Sequence, residues 1–310
     1  MNYTKPPLSL ADQITLLKSR GMSFSDIAAA ESALASLNYY RLSAYWLPFE
    51  VPGTGNGRSH QFRAGTTFDQ CLALYNFDVL LRQICFSGAK KLELSLRSQF
   101  AHRMSLLQGS HFYLNSGLFE YSRIAKTGRT LWSYTDALTS LKKDVQTSHE
   151  IFIKHYLSTY SDPAGFPPIW MVVELMSIGD LSRWFKYLKQ PKDRQNIADY
   201  FGVGESVLTT AVHHFSVLRN ICAHHGRLWN RELVVPLKFP AKPKEQMRIA
   251  TGISHNRIHN SCVVLAYLLR NIDDNNWVRI LKNSLIQCPL PLKYMGFEQG
   301  WEQFWPWNAC

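Results

Sequence analysis

LRNICAHHGRLWNR, residues 218–231, is the most informative stretch of this sequence, because it combines three arginines, two adjacent histidines and two asparagines. Arginine binds phosphate through a forked guanidinium, and histidine transfers protons near neutral pH. Apolar residues recur at helical rather than strand intervals up to this point, at Val212, Phe215, Val217, Leu218 and Ile221. Gly226 suits the left-handed residue that ends many helices. We therefore predict a helix whose last turn carries His224 and His225, where the helix dipole favours positive charge.

The spacing between Arg219 and His224 is weak evidence by itself, because such pairs recur by chance in a chain rich in both residues. An asparagine directly after the arginine makes the pattern rarer, with about 0.1 occurrences expected by chance. Asn220 lies four residues before His224, on the same helical face, where it can orient the imidazole. Arg219 lies about 140° around the helix from His224. A single helix therefore presents Arg219 and His224 in different directions.

Four segments resemble one known family. RNICAHHGRLWNR, within residues 218–231, resembles the signature helix of the Abi-like proteins, the AbiD/AbiF group of phage abortive-infection proteins in the HEPN superfamily of helical RNases. NYYRLSAYWLPF, residues 38–49, resembles the N-terminal signature, and residues 68–105, which include FD, LR and KLELSLRSQFAHRMS, resemble the central helix. MGFEQGWEQFWPW, residues 295–307, resembles the C-terminal pattern, with a looser match at WPW. The order of these motifs along residues 8–307 carries the resemblance.

The resemblance implies a metal-independent endoribonuclease of abortive-infection or toxin type that needs no cofactor. Cleavage of this kind needs a base for the 2′-hydroxyl, an acid for the leaving 5′-oxygen and a cation for the charge on the phosphorane. We expect Arg219, Asn220 and His224 to form the catalytic group. Family members complete the site by pairing two such helices, so the resemblance implies a composite site and a homodimer. It also implies an antitoxin that inhibits the enzyme, and we expect this antitoxin to be a small structured RNA.

Further residues are candidates for the same site. Secondary site candidates are His225, Glu93, Arg97 and His102. Candidates for RNA contact are Arg227, Arg231, Arg41, His213 and His214. Each also has a structural interpretation: Glu93 precedes Arg97 by four residues, the spacing of an intrahelical ion pair worth ~0.3–0.5 kcal/mol. For an isolated pair, a satisfied core histidine is the better interpretation of His224, and the family context favours catalysis. The aromatic side chains of residues 39–46 suit stacking on RNA bases, but their helical spacing is more typical of packing, as are the tryptophans of the C-terminal segment.

The charge balance favours a polyanionic partner. The chain has 34 lysines and arginines against 23 acidic residues, a net charge of +11. Nucleic acid is the expected partner, and RNA in particular from the resemblance. A membrane is the weaker alternative, because no apolar run reaches the ~18 residues of a spanning helix. The first residues do not resemble a signal peptide, so we expect a cytoplasmic protein.

The cysteines and histidines do not form a recognised metal pattern. The six cysteines are scattered without CxxC spacing and are expected to be reduced and mostly buried. A site built from His213, His214, His224 and His225 is conceivable, but no acidic residue or cysteine cluster accompanies them at a metal-ligand spacing. We expect no metal.

The periodicity predicts an all-α protein, a HEPN-type helical bundle with an N-terminal helical extension and irregular insertions. Predicted helices comprise two before residue 40, one over residues 38–49, and one long helix over 67–107 that is bent at Gly88. Later helices are predicted over residues 130–147, 149–160, 170–188, 192–201, 205–225, 245–271 and 277–287. Predicted connections are 52–66, 161–168 and the extended segment 234–244.

We predict three regions: residues 1–66, an N-terminal helical region with a Gly-rich loop; residues 67–290, a HEPN-like helical core; and residues 291–310, a C-terminal aromatic tail. Two functions remain open. The first is the endoribonuclease, and the second is a non-catalytic RNA-binding module that uses the same basic surface. Toxicity on expression, compared with Arg219→Ala and His224→Ala, separates them.

Overall fold

The computed structural model describes residues 6–53, 57–161, 165–240, 247–273 and 275–309. The protein is predominantly α-helical, which confirms the predicted fold class, and it has one small antiparallel pair of strands. In chain order the elements are α1 (Leu10–Ser19), α2 (Ile27–Leu37), α3 (Tyr39–Trp46), α4 (Phe68–Gln108), β1 (Ser122–Ile124), β2 (Thr130–Ser133), α5 (Tyr134–Thr147), α6 (Ile151–Thr159), α7 (Ile169–Val172), α8 (Ile178–Lys186), α9 (Pro191–Ala198), α10 (Glu205–Ala223), α11 (Ile258–Leu269) and α12 (Asn276–Ile286).

The longest element is α4, which contacts α3 and all six helices from α7 to α12. Its 41 residues extend about 60 Å. A capping box starts it: the Thr67 hydroxyl accepts from the Gln70 backbone N–H, and the Gln70 side chain accepts from the Thr67 N–H. The prediction of one long helix here is confirmed, and α3 and α7 to α12 pack against α4.

Gly88, where we predicted a bend, allows another helix to approach α4 closely. A Cβ atom at this position would lie 2.6 Å from the indole of Trp277 and 2.9 Å from Leu265. The Trp277 indole N–H donates to the carbonyl of Ile84 at 2.7 Å. The missing side chain therefore lets α12 pack against α4.

Two groups of buried apolar residues make up the core. The smaller group joins α1, α2 and α3 to the start of α4 through Phe68 and Cys71. The larger group surrounds the rest of α4 and includes residues of α8, α10, α11 and α12. Ser9 and Asp26 are the N-caps of α1 and α2, and each accepts a hydrogen bond from a backbone N–H of the first helical turn. The three predicted regions stay a prediction.

Three predicted helices differ from the structure by more than a few residues at an end. Residues 130–133, predicted as the start of a helix, form β2, and Ser133 then caps α5 with its hydroxyl. The predicted helix 170–188 is two helices, because α7 ends at Val172 and Ser177 caps α8. Between them, the buried guanidinium of Arg97 donates to the carbonyls of Val173 and Met176. These carbonyls are therefore paired outside a helix.

The predicted helix 245–271 is shorter in the structure. Residues 245 and 246 lie outside the described part, and from Met247 to the start of α11 at Ile258 the only helical structure in the described chain is a short 3-10 turn, Gly252–Ser254. Asn260 explains this conformation, because its amide exchanges hydrogen bonds with the backbone N–H and C=O of Ala250, both at 2.9 Å. It also donates to the His255 carbonyl at 2.9 Å. A buried side chain thus replaces the hydrogen bonds of a helix.

The C-terminal aromatic residues pack on the helices, as expected. Trp301 and Trp307 are buried, and their rings meet edge to face with centroids 5.0 Å apart. Among the described cysteines, Cys71, Cys85, Cys222 and Cys262 are buried free thiols, and Cys288 is partly buried. In the part of the chain with described coordinates, no helix is both long enough and apolar enough to cross a membrane.

Candidate active site

The predicted catalytic segment lies at the C-terminal end of α10, and the end of this helix differs from the prediction. His225, not Gly226, occupies the left-handed position, with φ of 56°. The His225 N–H donates to the Cys222 carbonyl at 3.2 Å, and the Gly226 N–H donates to the Ile221 carbonyl at 2.8 Å. These two bonds form a Schellman motif. A non-glycine residue with positive φ is strained, and such strain is often found at functional sites.

Arg219 faces α4. Its Nε lies 3.8 Å from Glu93 Oε2, an ion pair too long to be a hydrogen bond, and its Nη1 donates to Asn220 Oδ1 at 3.3 Å. The guanidinium carbon lies 5.4 Å from the centroid of the Phe86 ring. About a third of the side chain, 35%, remains exposed. The cation is thus held by a carboxylate and an aromatic face while it keeps access to solvent.

Glu93 is shared between two arginines. Its Oε1 accepts from Arg97 Nη2 at 2.6 Å, and its Oε2 faces Arg219. Arg97 is buried and also donates to Met176 O at 2.6 Å and to Val173 O. The structure therefore joins Glu93 and Arg97 to Arg219 across the α4 and α10 interface. Arg97 itself is mostly buried, and its contacts position Glu93 and the α7 to α8 connection.

Asn220 and His224 are exposed, whereas Arg219 points towards α4. The exposed His213 lies on the same side of α10 as Asn220, seven residues earlier. Partial burial, then the positive charges of Lys186 and Arg183, lower the pKa of His213. The chain alone therefore places Arg219 and His224 on different sides of one helix.

His214 belongs to the core, which corrects its place among the RNA-contact candidates. Its side chain is buried, with Nδ1 2.9 Å from the Val235 carbonyl and Nε2 2.8 Å from the Ser261 hydroxyl. Burial lowers its pKa. Both ring nitrogens are occupied by protein groups, so the side chain has no free atom for RNA.

Of the three arginines proposed for RNA contact, Arg227 and Arg231 lie in the segment after α10, and Arg41 contacts this segment from α3. Arg41 Nη1 donates to the His225 carbonyl at 2.7 Å. Arg227 Nη1 donates to the Ala44 carbonyl at 3.1 Å, and Arg231 Nη1 donates to the Arg227 carbonyl at 3.3 Å. Two of these bonds tie the segment to α3. Each guanidinium has five N–H groups, so these single bonds leave donors for a ligand.

His102 does not join this group. It is exposed on α4, nine residues after Glu93, which corresponds to roughly 13 Å along the helix axis. It lines a different groove with Trp170 and Leu106.

Asp78 is an organising residue that our candidate residues did not include. It is fully buried and accepts from the Trp229 N–H at 2.6 Å, the Leu228 N–H at 3.1 Å and the Tyr45 hydroxyl at 2.6 Å. It also forms an ion pair with Arg82, one helical turn away. Burial first, and then the Asp78 carboxylate, raise the pKa of Tyr45 well above its ordinary value, so Tyr45 remains a donor.

A sequence signal for this cluster existed. Asp78 follows Phe77 and Arg82 follows Leu81, so an acidic and a basic residue lie four residues apart on a helix face that is otherwise apolar. A charged pair on a buried face points to buried partners, because an unpaired charge there is costly. The sequence alone does not identify those partners, which are backbone groups about 150 residues away in the chain.

Across the described residues, no group of three or more histidine, cysteine, aspartate or glutamate side chains is arranged to hold a metal ion. Asn220 contacts Arg219, and His224 and His225 are exposed just after α10, beside a basic segment. The arrangement offers a held cation, exposed imidazoles and several arginine donors, a set suited to binding and transferring protons around a phosphodiester.

Comparison with known protein families gives a match. A family model described as Abi-like protein matches residues 32–230, well over half of the chain. This range contains α3, the whole of α4 and the segment after α10 as far as Asn230. No curated protein and no solved structure matches the chain significantly.

Proposed function

The chain belongs to the Abi-like protein family, and from this premise we propose that it is a HEPN-type, metal-independent endoribonuclease of phage abortive infection. The family suggests the abortive-infection role, and the proposal adds the chemistry. Its catalytic group is Arg219, Asn220 and His224. The observation that carries the proposal is the geometry of Arg219, a partly exposed cation held between Glu93 and Phe86 at a helix end rich in imidazoles.

The reaction follows from these groups. A base removes the proton of the 2′-hydroxyl, the 2′-oxygen attacks phosphorus, and the P–O5′ bond breaks. The leaving 5′-oxygen receives a proton, so the products are a 2′,3′-cyclic phosphate and a 5′-hydroxyl. His224 is the proton-transfer group, and Asn220 orients its imidazole from one turn earlier. The guanidinium of Arg219 stabilises charge on the phosphorane oxygens.

The direction of the side chains favours a site shared by two copies. Arg219 faces α4, whereas Asn220 and His224 are exposed on another side of α10. A two-fold axis that sets two α10 ends against each other brings the His224 of one copy towards the Arg219 of the other. We propose a homodimer on this ground.

The net charge of +11 supports RNA as both substrate and regulator. Arg41, Arg227 and Arg231 place guanidinium groups around the helix end and retain donors for phosphates. We propose that a small structured RNA restrains the enzyme by occupying this basic surface.

A second candidate function is RNA binding without cleavage. The contact between Glu93 and Arg219 favours it, because a carboxylate near the guanidinium partly offsets the charge that catalysis needs. In that case Arg219 positions the helix and the surrounding arginines bind RNA.

The test is cleavage of total RNA by the purified full-length protein in EDTA, followed by mapping of the new ends. We expect 5′-hydroxyl ends and cyclic or 3′-phosphates, with loss of activity and of toxicity on expression in Arg219→Ala and His224→Ala. His149→Ala is the matched control, because His149 is exposed and remote in sequence from the group. A strict Mg²⁺ requirement with 5′-phosphate ends would overturn the mechanism, and RNA binding without any cleavage would favour the second candidate.

A further inference from the structure

An open groove of about 300 Å³ lies between α4 and the C-terminal end of α10. The α4 wall contains Tyr75, Val79, Gln83 and Phe86, which fall on one helical face. The opposite wall is formed by the end of α10 and includes His225. The groove therefore adjoins the proposed catalytic group on its α4 side.

Arginine and aromatic side chains are paired at two places on this α4 face. The Arg219 guanidinium carbon lies 5.4 Å from the Phe86 centroid, and the Arg82 guanidinium carbon lies 5.9 Å from the Tyr75 centroid. Both guanidinium groups are held in position, since Arg82 forms an ion pair with Asp78 and Arg219 is paired with Glu93. The groove thus offers aromatic surface, and the partly exposed cation of Arg219 lies beside it at Phe86.

Gln83 is exposed within the groove and makes no side-chain hydrogen bond to any residue that the structure describes. Its amide offers one acceptor and two donors, the combination that reads the edge of a base. His225 stands opposite, with its backbone held in the left-handed conformation and its carbonyl bound by Arg41 at 2.7 Å. The groove has an aromatic ring on each wall and a free amide.

We propose that this groove binds one unpaired nucleobase of the RNA substrate, next to the phosphate held by Arg219. The inference rests on the proposed function and adds its specificity site. The base stacks on the aromatic groups of Phe86 and His225, and Gln83 reads its edge. An unpaired base fits because proteins recognise splayed bases by stacking on aromatic rings and by contacts to the base edge. A base in a duplex has both its faces and its pairing edge occupied.

The experiment measures binding of the four nucleoside 3′-monophosphates and of inorganic phosphate to the full-length protein by calorimetry. We expect at least one nucleotide to bind more tightly than phosphate. Phe86→Leu should weaken nucleotide binding by about 5-fold to 150-fold, the usual contribution of one stacked base, and should weaken phosphate binding less, because phosphate is affected only through the Phe86 contact with Arg219. Phe86→Tyr should retain binding, because it keeps the aromatic face. Gln83→Leu, at an exposed position, should change the ranking of the four nucleotides.

The control variant is Leu106→Ala, on the same helix but 75% exposed and outside the groove, and it should bind as the wild type does. Equal affinity for nucleotides and phosphate, or unchanged nucleotide binding in both Phe86→Leu and Gln83→Leu, would overturn the inference.

Cleavage separates this outcome from a failure of the proposed function. If the wild type cleaves RNA and both groove variants cleave with the same base preference, the groove inference is wrong and the nuclease stands. If nucleotides bind as expected but RNA is never cleaved, the groove is an RNA-binding element and the nuclease proposal is wrong.

Discussion

The buried Asp78 cluster offers the sharpest test of how this fold holds its site. We expect Asp78→Asn to lower the free energy of unfolding by about 3–5 kcal/mol, the usual cost of breaking a buried ion pair by removing one partner. The substitution leaves Arg82 buried without its counter-ion. It also sets an amide where the carboxylate accepts from the Trp229 N–H at 2.6 Å and the Tyr45 hydroxyl at 2.6 Å.

Further variants separate the contributions to this loss of unfolding free energy. Tyr45→Phe removes only the hydroxyl that donates to Asp78, a hydrogen bond to a charged group, and should cost about 1.5–3 kcal/mol. Asp180→Asn is the matched control, because Asp180 also pairs with an arginine on its own helix, Arg183, but both side chains are 40% or more exposed. Its cost should not exceed about 1 kcal/mol.

Chemical denaturation of the three variants supplies the free energies, and RNA cleavage at a temperature where each is folded supplies the functional effect. Since Asp78 holds the backbone of Leu228 and Trp229, we expect Asp78→Asn to reduce cleavage even while folded. A cost for Asp78→Asn as small as that of Asp180→Asn would show that the buried cluster does not stabilise the segment, and the reasoning would fail.

Three further predictions follow from the structure. Burial lowers the pKa of His259 to about 4. Between pH 6.5 and 4 the unfolded chain therefore binds a proton that the folded chain does not. The free energy of unfolding should fall in this window, by about 2 kcal/mol from pH 7 to 5. His259→Phe should flatten this fall in thermal melts, and an unchanged pH dependence would contradict it. Mixing Arg219→Ala with His224→Ala chains should restore part of the cleavage if each cut uses both copies, and light scattering that finds an active monomer would exclude the shared site. RNA affinity should fall with salt by about 0.7 in log K per log unit for each neutralised phosphate, and salt-independent binding would argue against the basic surface.

The fold was predictable where a periodic pattern and its boundary signals agreed. The long apolar period after residue 67, with Thr67 and Gln70 forming a capping box, is enough to predict α4. The prediction was wrong where a remote side chain took over backbone hydrogen bonds. Arg97 does this between α7 and α8, and Asn260 does it before α11. Local sequence contains no information about such partners.

The candidate site was predictable in part. The asparagine after Arg219 identified the helix, and the spacing of Glu93 and Arg97 identified the neighbouring pair that meets it. The burial of His214 could not be read from the sequence, because it depends on Val235 and Ser261, which lie 21 and 47 residues away. The left-handed His225 was missed because glycine at the next position is the usual occupant of that conformation.

The contacts of α3 tie it to the end of α10, and both lie within the family match. Arg41 binds the His225 carbonyl, Tyr45 binds Asp78, and Arg227 binds the Ala44 carbonyl. The first and third of these bonds connect α3 directly to the segment after α10, across more than 180 residues of sequence. The second connects α3 to Asp78 on α4, which in turn accepts from the Leu228 and Trp229 N–H groups of that segment. The matched range, 32–230, contains all six residues of these bonds. Since His225 borders the groove and depends on Arg41 for its backbone contact, α3 belongs to the structure of the site itself.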